Sequence, residues 1–281
     1  MKLTSVKELK LMANTLRCDV IRMLVPAQSG HAAGPLGLAD IFSILFFHEM
    51  NYKPSEPKLD GRDRFVLSNG HCCPVLYAAM ARAGYFQIEE TLTLRKLGSR
   101  FQGHPSMHWM PEVESSSGPL GEGLAIACGM ALAGKLDKKS YRVYCVTSDG
   151  EHQEGSTWEA VMLANKYKLD NLVAICDRNY IQIDGNTEDI MPLGDMEATY
   201  RAFGWHAVTV NGHDYAALMK ALADAKKTKG RPTMIIANTV PGKGVSFAEN
   251  DYKWHGVAPK QEEADKAIAE LEGERKRIEA E

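Results

Sequence analysis

The chain has 281 residues and is 44% apolar, which suits one large domain or two small ones around a real core. Its net charge of −3, from 33 Lys and Arg against 36 Asp and Glu, gives no electrostatic case for nucleic acid or an acidic membrane surface. The most apolar segment, residues 41–47, is too short to span a bilayer, and residues 1–4 lead into a charged amphipathic stretch without an apolar signal core, so a soluble, cytoplasmic protein is expected.

In chain order, Leu9, Met12, Leu16, Val20 and Met23–Leu24 keep a helical period that ends near Pro26. Loops rich in Gly, Ser and His then alternate with helical stretches at 38–50, 74–83 and 89–96. From Tyr141 the pattern changes to short β-prone runs at 141–147, 172–176, 206–210 and 233–239. Helices are expected between them at 156–167, 196–203 and 215–226, after an earlier Gly- and Ala-rich one at 121–134. Strand and helix in repetition predict an α/β fold, a parallel sheet flanked by helices on both faces, with ligands outside the carboxyl ends of its strands. The six cysteines lack C-x-x-C spacing and read as reduced core thiols. Two segments are expected: a domain over 1–260 and a charged surface or docking helix over 261–281.

The strongest local signal is Ser148-Asp149-Gly150 at a strand end, with Asn179 thirty positions beyond Asp149, after a helix and a second strand. A strand end leading to a helix N-terminus favours phosphate through free N–H groups and the helix dipole. Asp149 and the Asn179 amide oxygen are hard ligands that suit Mg²⁺, which keeps water and phosphate in its octahedron. Taken alone, Asp149-Gly150 reads as an ordinary turn, as most such dipeptides are.

With its context, the stretch resembles the thiamine-diphosphate enzymes, whose fingerprint is G-D-G, 25 to 30 residues, then N. Glu154-Gly155, Trp158-Glu159-Ala160 and Asn179-Tyr180-Ile181-Gln182-Ile183-Asp184-Gly185 are closer still to transketolases. The resemblance implies a thiamine-diphosphate-binding fold with Asp149, Asn179 and the Ile181 carbonyl on Mg²⁺ (or Ca²⁺ or Mn²⁺). It also implies the Gly150 N–H on the diphosphate and Ile183 against the thiazolium. Ser148 departs from the family's first glycine.

Four more segments agree. Ser29-Gly30-His31 with Gly34-Pro35-Leu36-Gly37 is similar to the family's S-G-H-P-G-x-P-L-G, with Ala32 for its proline. Residues 63–71 match D-R-F-V-L-S-N-G-H, and Gly103-His104-Pro105 matches G-H-P. Ser117-Gly118-Pro119-Leu120-Gly121 resembles T-G-P-L-G. Including His255-Gly256, four of the nine histidines fall at family positions. Ketose cleavage beside a carbonyl requires taking a proton from a hydroxyl and returning it, work suited to imidazoles titrating near neutrality. By resemblance His31 and His255 face the reacting oxygens and His104 the C1 hydroxyl. His71 lies near the diphosphate, and Gly118, Pro119 and Leu120 meet the aminopyrimidine. His255 also counts among the cofactor contacts. Pro241-Gly242-Lys243-Gly244 reads as a mobile loop over the cleft rather than a phosphate loop.

The resemblance runs from about Thr4 to Pro259, over the N-terminal half of single-chain transketolases. It implies an enzyme transferring a two-carbon ketol unit from a ketose phosphate to an aldose. The aminopyrimidine-activating glutamate is expected on a separate C-terminal, pyrimidine-binding subunit, in a heterotetramer with two copies of each chain and with Glu154 and Glu159 near an interface. A non-catalytic cofactor-binding protein, a deoxyxylulose-phosphate synthase and a 2-oxoacid dehydrogenase subunit stay open as alternatives.

Overall fold

Ser5 begins the first helix through a capping box: its hydroxyl accepts from the Glu8 N–H, and the Glu8 carboxylate accepts from the Ser5 N–H. That helix, α1 (Val6–Ala27), carries Pro26 in its last turn and buries Leu9, Leu16, Val20, Met23 and Leu24 as their period requires. The structure, a computed structural model, describes residues 2–281.

Two expected helices differ. The stretch expected from residue 38 begins earlier, as α2 (Ala33–Ile44), and widens into a π turn at Leu45–Glu49. Gly34-Pro35-Leu36-Gly37 is therefore helical, and Pro35 is tolerated because the first turn's N–H groups have no helical partner. Residues expected as a helix over 89–96 form a 3₁₀ turn, Ile88–Thr93. There the Thr91 and Thr93 hydroxyls donate to the carbonyls of Ile88 and Glu90, competing with helix propagation.

The remaining elements, in chain order, are β1 (Arg64–Leu67), α3 (Cys73–Ala83), α4 (Gly123–Leu136), β2 (Val143–Ser148), α5 (Gly155–Lys166) and β3 (Leu172–Arg178). A hairpin of β4 (Ile181–Gln182) and β5 (Gly185–Asn186) follows, then α6 (Thr187–Ile190), α7 (Met196–Ala202), β6 (His206–Asn211), α8 (Tyr215–Lys227), β7 (Thr233–Asn238) and α9 (Gln261–Ala280). Five strands pair in parallel in the order β1-β2-β3-β7-β6. Strand β1 is absent from the sequence expectation: it is a four-residue edge strand, and half-buried Arg64 and Phe65 break the apolar pattern.

Period-two alternation divides the core into a layer on each sheet face. Tyr144 and Val146 of β2 join the layer of α1, α2, α3 and α8, whereas Val143 and Cys145 join that of α4, α5 and α7. The charged tail is α9, packed along α1. Its Ala264, Ala267 and Leu271 enter the first layer, and the Asn14 Nδ2 donates to the Leu271 carbonyl at 3.0 Å. All six cysteines are buried free thiols. Among the described residues no helix is long and apolar enough to cross a membrane.

Candidate functional site

Because the strands run parallel, their carboxyl ends share one sheet edge, and the singled-out loops after β1, β2 and β3 leave from it. Asp149, the first residue past β2, is fully buried rather than facing an open cleft. Its Oδ1 accepts from the Gly150 N–H at 2.7 Å, and its Oδ2 accepts from the Tyr180 N–H at 2.7 Å and the Arg178 guanidinium at 3.2 Å. Tyr180 delivers its N–H from a left-handed conformation (φ 62°), an uncommon state for a non-glycine residue. Burial raises the Asp149 pKa despite these bonds.

Asp177, at the end of β3, is also fully buried; burial, with the Asp149 charge adding to it, pushes its pKa up to about 7. It accepts from the Thr239 hydroxyl and, at 2.8 Å, from the Asn179 Nδ2. The latter bond orients the amide, leaving the Asn179 Oδ1 to accept from the Ile181 N–H at 3.0 Å with one lone pair to spare. Arg178 bridges Asp149 to Glu188 and stacks over the Tyr180 ring at 4.1 Å. The next hairpin lies beside Gly150: the Gln182 Oε1 accepts from the Gln153 Nε2 at 3.1 Å, and a side chain at Gly150 would meet that same oxygen. Ile183, in the hairpin turn, is 69% exposed.

The histidines form a second cluster. The rings of His31, His71 and His255 lie 4.8, 5.3 and 5.5 Å apart, centroid to centroid. His31 leaves α1 through Gly30, whose φ of 135° and contact with Leu24 leave no room for a side chain. Arg95 ties the histidine loops together, donating to the Ser29 hydroxyl at 3.1 Å and the Gly103 carbonyl at 3.3 Å. A side chain at Gly118 would contact the His104 ring, placing the 118–121 loop against that histidine. The sequence pattern leads one to expect imidazoles that titrate near neutrality. Instead burial, with the neighbouring histidines and Arg95 adding, lowers His31 to about 4, and burial with the neighbouring histidines takes His71 well below its ordinary value. Burial also lowers His104 and His255. The cluster is therefore neutral at pH 7.

The 241–244 loop is anchored to the body rather than free. The Gly242 N–H donates to the Ala33 carbonyl at 2.8 Å, and the Val240 N–H to the His213 Nε2 at 2.8 Å. The His213 Nδ1 in turn bonds Asp40, which Arg17 and Tyr215 also hold. Sequence reasoning passed over Glu151, Asp177, Arg178 and His213. Only the Asp177-Arg178-Asn179 run hinted at two of them, because an acid's burial depends on strands paired across the sheet.

The polar atoms fit a ligand carrying an anion. The Nδ1 atoms of His31 and His255, the Ser117 hydroxyl and both amide atoms of Asn69 are buried without partners. Among the described residues no three His, Cys, Asp or Glu side chains gather as a metal site. Any cation here would rest on Asp149, the Asn179 oxygen, a backbone carbonyl and its ligand's own oxygens.

These features define an α/β protein with a polar, histidine-lined site at the carboxyl edge of a parallel sheet. The family described as transketolase, thiamine diphosphate binding domain, matches residues 8–276. One of the subunits of the apulose-4-phosphate transketolase of Phocaeicola vulgatus is 39% identical over 98% of this chain and 98% of its own length. A 6-deoxy-6-sulfo-D-fructose transketolase subunit of a Clostridium species is 39% identical over 95% and 97%. Human transketolase is 44% identical over 94% of this chain, which spans only 42% of that protein. Transketolase from Campylobacter jejuni superposes with a TM-score of 0.90 at 34% identity, over 98% of this chain and 46% of that one. The chain belongs to the transketolase thiamine-diphosphate-binding family, as a transketolase-type subunit.

Proposed function

We propose that this chain is the cofactor-binding half of a two-subunit transketolase that moves a two-carbon ketol unit from a ketose phosphate to an aldose or aldose phosphate. The carrying observation is the juxtaposition, on one sheet edge, of three mutually packed neutral histidines with the Asp149–Asn179 oxygen pair. Asp149, the Asn179 oxygen and the Ile181 carbonyl would hold Mg²⁺ (or Ca²⁺ or Mn²⁺), three hard oxygens from a set that leaves room for diphosphate and water. His71 would face the diphosphate, and Gly118, Pro119 and Leu120 the aminopyrimidine. The Gly150 N–H would be shared between the diphosphate and the Asp149 Oδ1 that it meets here. Ile183, exposed beside Gly150, would gain an apolar partner from the thiazolium.

Thiamine diphosphate, when bound, supplies the electron sink for carbon–carbon cleavage beside a carbonyl. The chain's own residues handle the protons. His31 and His255, neutral and with unpartnered Nδ1 atoms, can accept a hydroxyl proton and return it, and His104 can hold the C1 hydroxyl. Their lowered basicity suits a site that gains a diphosphate, whose charge draws imidazole pKa values back up.

Two relatives of matching length are named as subunits, which supports a partner. We assign to it the pyrimidine-binding half and its activating glutamate, two copies of each chain to the assembly, and the cytoplasm to the enzyme. Exposed Ile126 of α4 and Met162 and Leu163 of α5, with Glu154 and Glu159, form a surface suited to such an interface. The test assays the purified chain with thiamine diphosphate, Mg²⁺ and a panel of ketose phosphates, alone and then with the candidate partner. Activity only on mixing is expected; robust ketol transfer by the chain alone overturns the two-subunit reading.

A further inference from the structure

Glu151 is 0% exposed, yet no role in binding or proton transfer falls to it. Its carboxylate lies where three segments meet. Oε1 accepts from the Ser68 hydroxyl, just past β1, and from the Gly121 N–H at 2.8 Å. Oε2 accepts from the Ser148 N–H, at the end of β2, at 3.1 Å. The surroundings leave little slack. A side chain on Gly123 would fall 2.3 Å from the Ser68 hydroxyl oxygen. Gly121 has a φ of 85°, and a side chain there would fall 2.5 Å from the Ser156 hydroxyl and 2.7 Å from the Glu154 Cβ. Residues 121–123 thus pack against Ser68 beyond β1 and against the start of α5, and the Glu151 carboxylate joins Gly121 to both strand ends.

We infer that Glu151 is a positioning residue that sets the spacing between the 118–121 loop and the Ser148-Asp149-Gly150 turn. The inference rests on the reading above, in which those loops hold opposite ends of one cofactor, aminopyrimidine and diphosphate. A ligand held at both ends binds more tightly when both loops already stand at its bound span, since adjusting them on binding costs affinity. A carboxylate fits the task because it has lone pairs on both oxygens and no hydrogen. An amide of the same shape must turn its NH₂ toward Gly121 or toward Ser148, leaving a backbone donor facing a donor.

The test is Glu151→Gln, with two readouts. In the full chain without cofactor, amide exchange at Gly121 and Ser148 is expected to rise at least tenfold while the β3 amides keep wild-type protection. In the enzyme reconstituted with its partner and Mg²⁺, the calorimetric Kd for thiamine diphosphate is expected to rise roughly ten- to a hundredfold, the effect of losing a charged hydrogen bond. Turnover at saturating cofactor should stay within a few-fold of wild type, because the substrate histidines are untouched. Unchanged exchange at Gly121 and Ser148, or unchanged affinity, overturns the positioning role. So does faster exchange spread evenly through β3, which marks general loosening. If Glu151→Gln does not fold, Ser68→Ala keeps the carboxylate and both N–H bonds and is expected to give the same pattern at smaller amplitude; no change in it overturns the inference. A wild-type enzyme without thiamine diphosphate affinity overturns the cofactor reading and the inference with it, whereas a binding wild type beside an unaffected variant overturns the inference alone.

Discussion

Replacing Asp149 separates its two duties, ligand and structural acceptor. A strand-end carboxylate facing an open cleft would be expected to contribute little to packing, so that Asp149→Ala left the fold intact. Its burial and three accepted bonds reverse that expectation. Alanine strands the Gly150 and Tyr180 N–H groups, while Arg178 keeps Glu188 as its second acceptor. At about 1–3 kcal/mol for each buried donor left unsatisfied, and with water able to enter the space, a loss of about 2–5 kcal/mol follows. For a chain of 281 residues that is a drop of about 3–8 °C in Tm, taking ~2.1 cal/mol/K of unfolding entropy per residue. Asp149→Asn keeps the shape and one acceptor oxygen, so about 1–2 kcal/mol is expected. Both variants should lose Mg²⁺-dependent thiamine diphosphate binding. Differential scanning calorimetry reads the first effect and titration calorimetry on the reconstituted enzyme the second. An alanine variant melting with the wild type refutes the structural duty, and unchanged cofactor affinity in either variant refutes the metal assignment.

In the reconstituted enzyme, His104→Ala and His255→Ala should each lower turnover by about 10² to 10⁴, the usual range for one acid–base group, with cofactor affinity roughly kept; wild-type turnover in either removes that residue from the chemistry. His152, buried between the Ser148 carbonyl and the Tyr200 hydroxyl, is lowered by burial to about 4 from 6.5. A depressed histidine pKa means that the unfolded chain takes up its proton first, so stability is fully present above pH 6.5 and is lost as pH falls toward 4. Asp177, raised to about 7, acts in the opposite sense over an overlapping range, so the comparison must be with a variant in which its contribution cancels. From pH 7 to 5 the stability gap between wild type and His152→Gln should narrow by about 2 kcal/mol, and parallel unfolding curves would contradict the assignment.

Features carried by neighbouring residues were legible before the fold. The period of α1 and the strand runs from Tyr141 onward needed only local pattern, and every site histidine stands in a short Gly-rich word. Features made by pairing distant segments were not. Strand β1 exists because β2 offers it an edge, and its four residues carry no alternation of their own. Glu151 looks like a helix-start acid; its role depends on Ser68 and Gly121, which lie 83 and 30 residues away in the chain. The histidines' lowered basicity likewise follows from three loops meeting, which motif spacing does not encode.

Ser148 sits where local pattern and distant pairing meet. The family pattern has glycine there, which suggests a backbone freedom that serine would lack. Ser148, however, is the last residue of β2, paired with Asp177 across the ladder, and its φ lies outside the left-handed region. What the site draws from this position is the N–H aimed at Glu151, which any residue but proline can supply. Around the turn the Gly150 and Tyr180 N–H groups likewise hold Asp149 in place, together with the Arg178 guanidinium. Backbone donors converging on two buried carboxylates therefore build this end of the site, and a serine for a glycine leaves every one of those bonds standing.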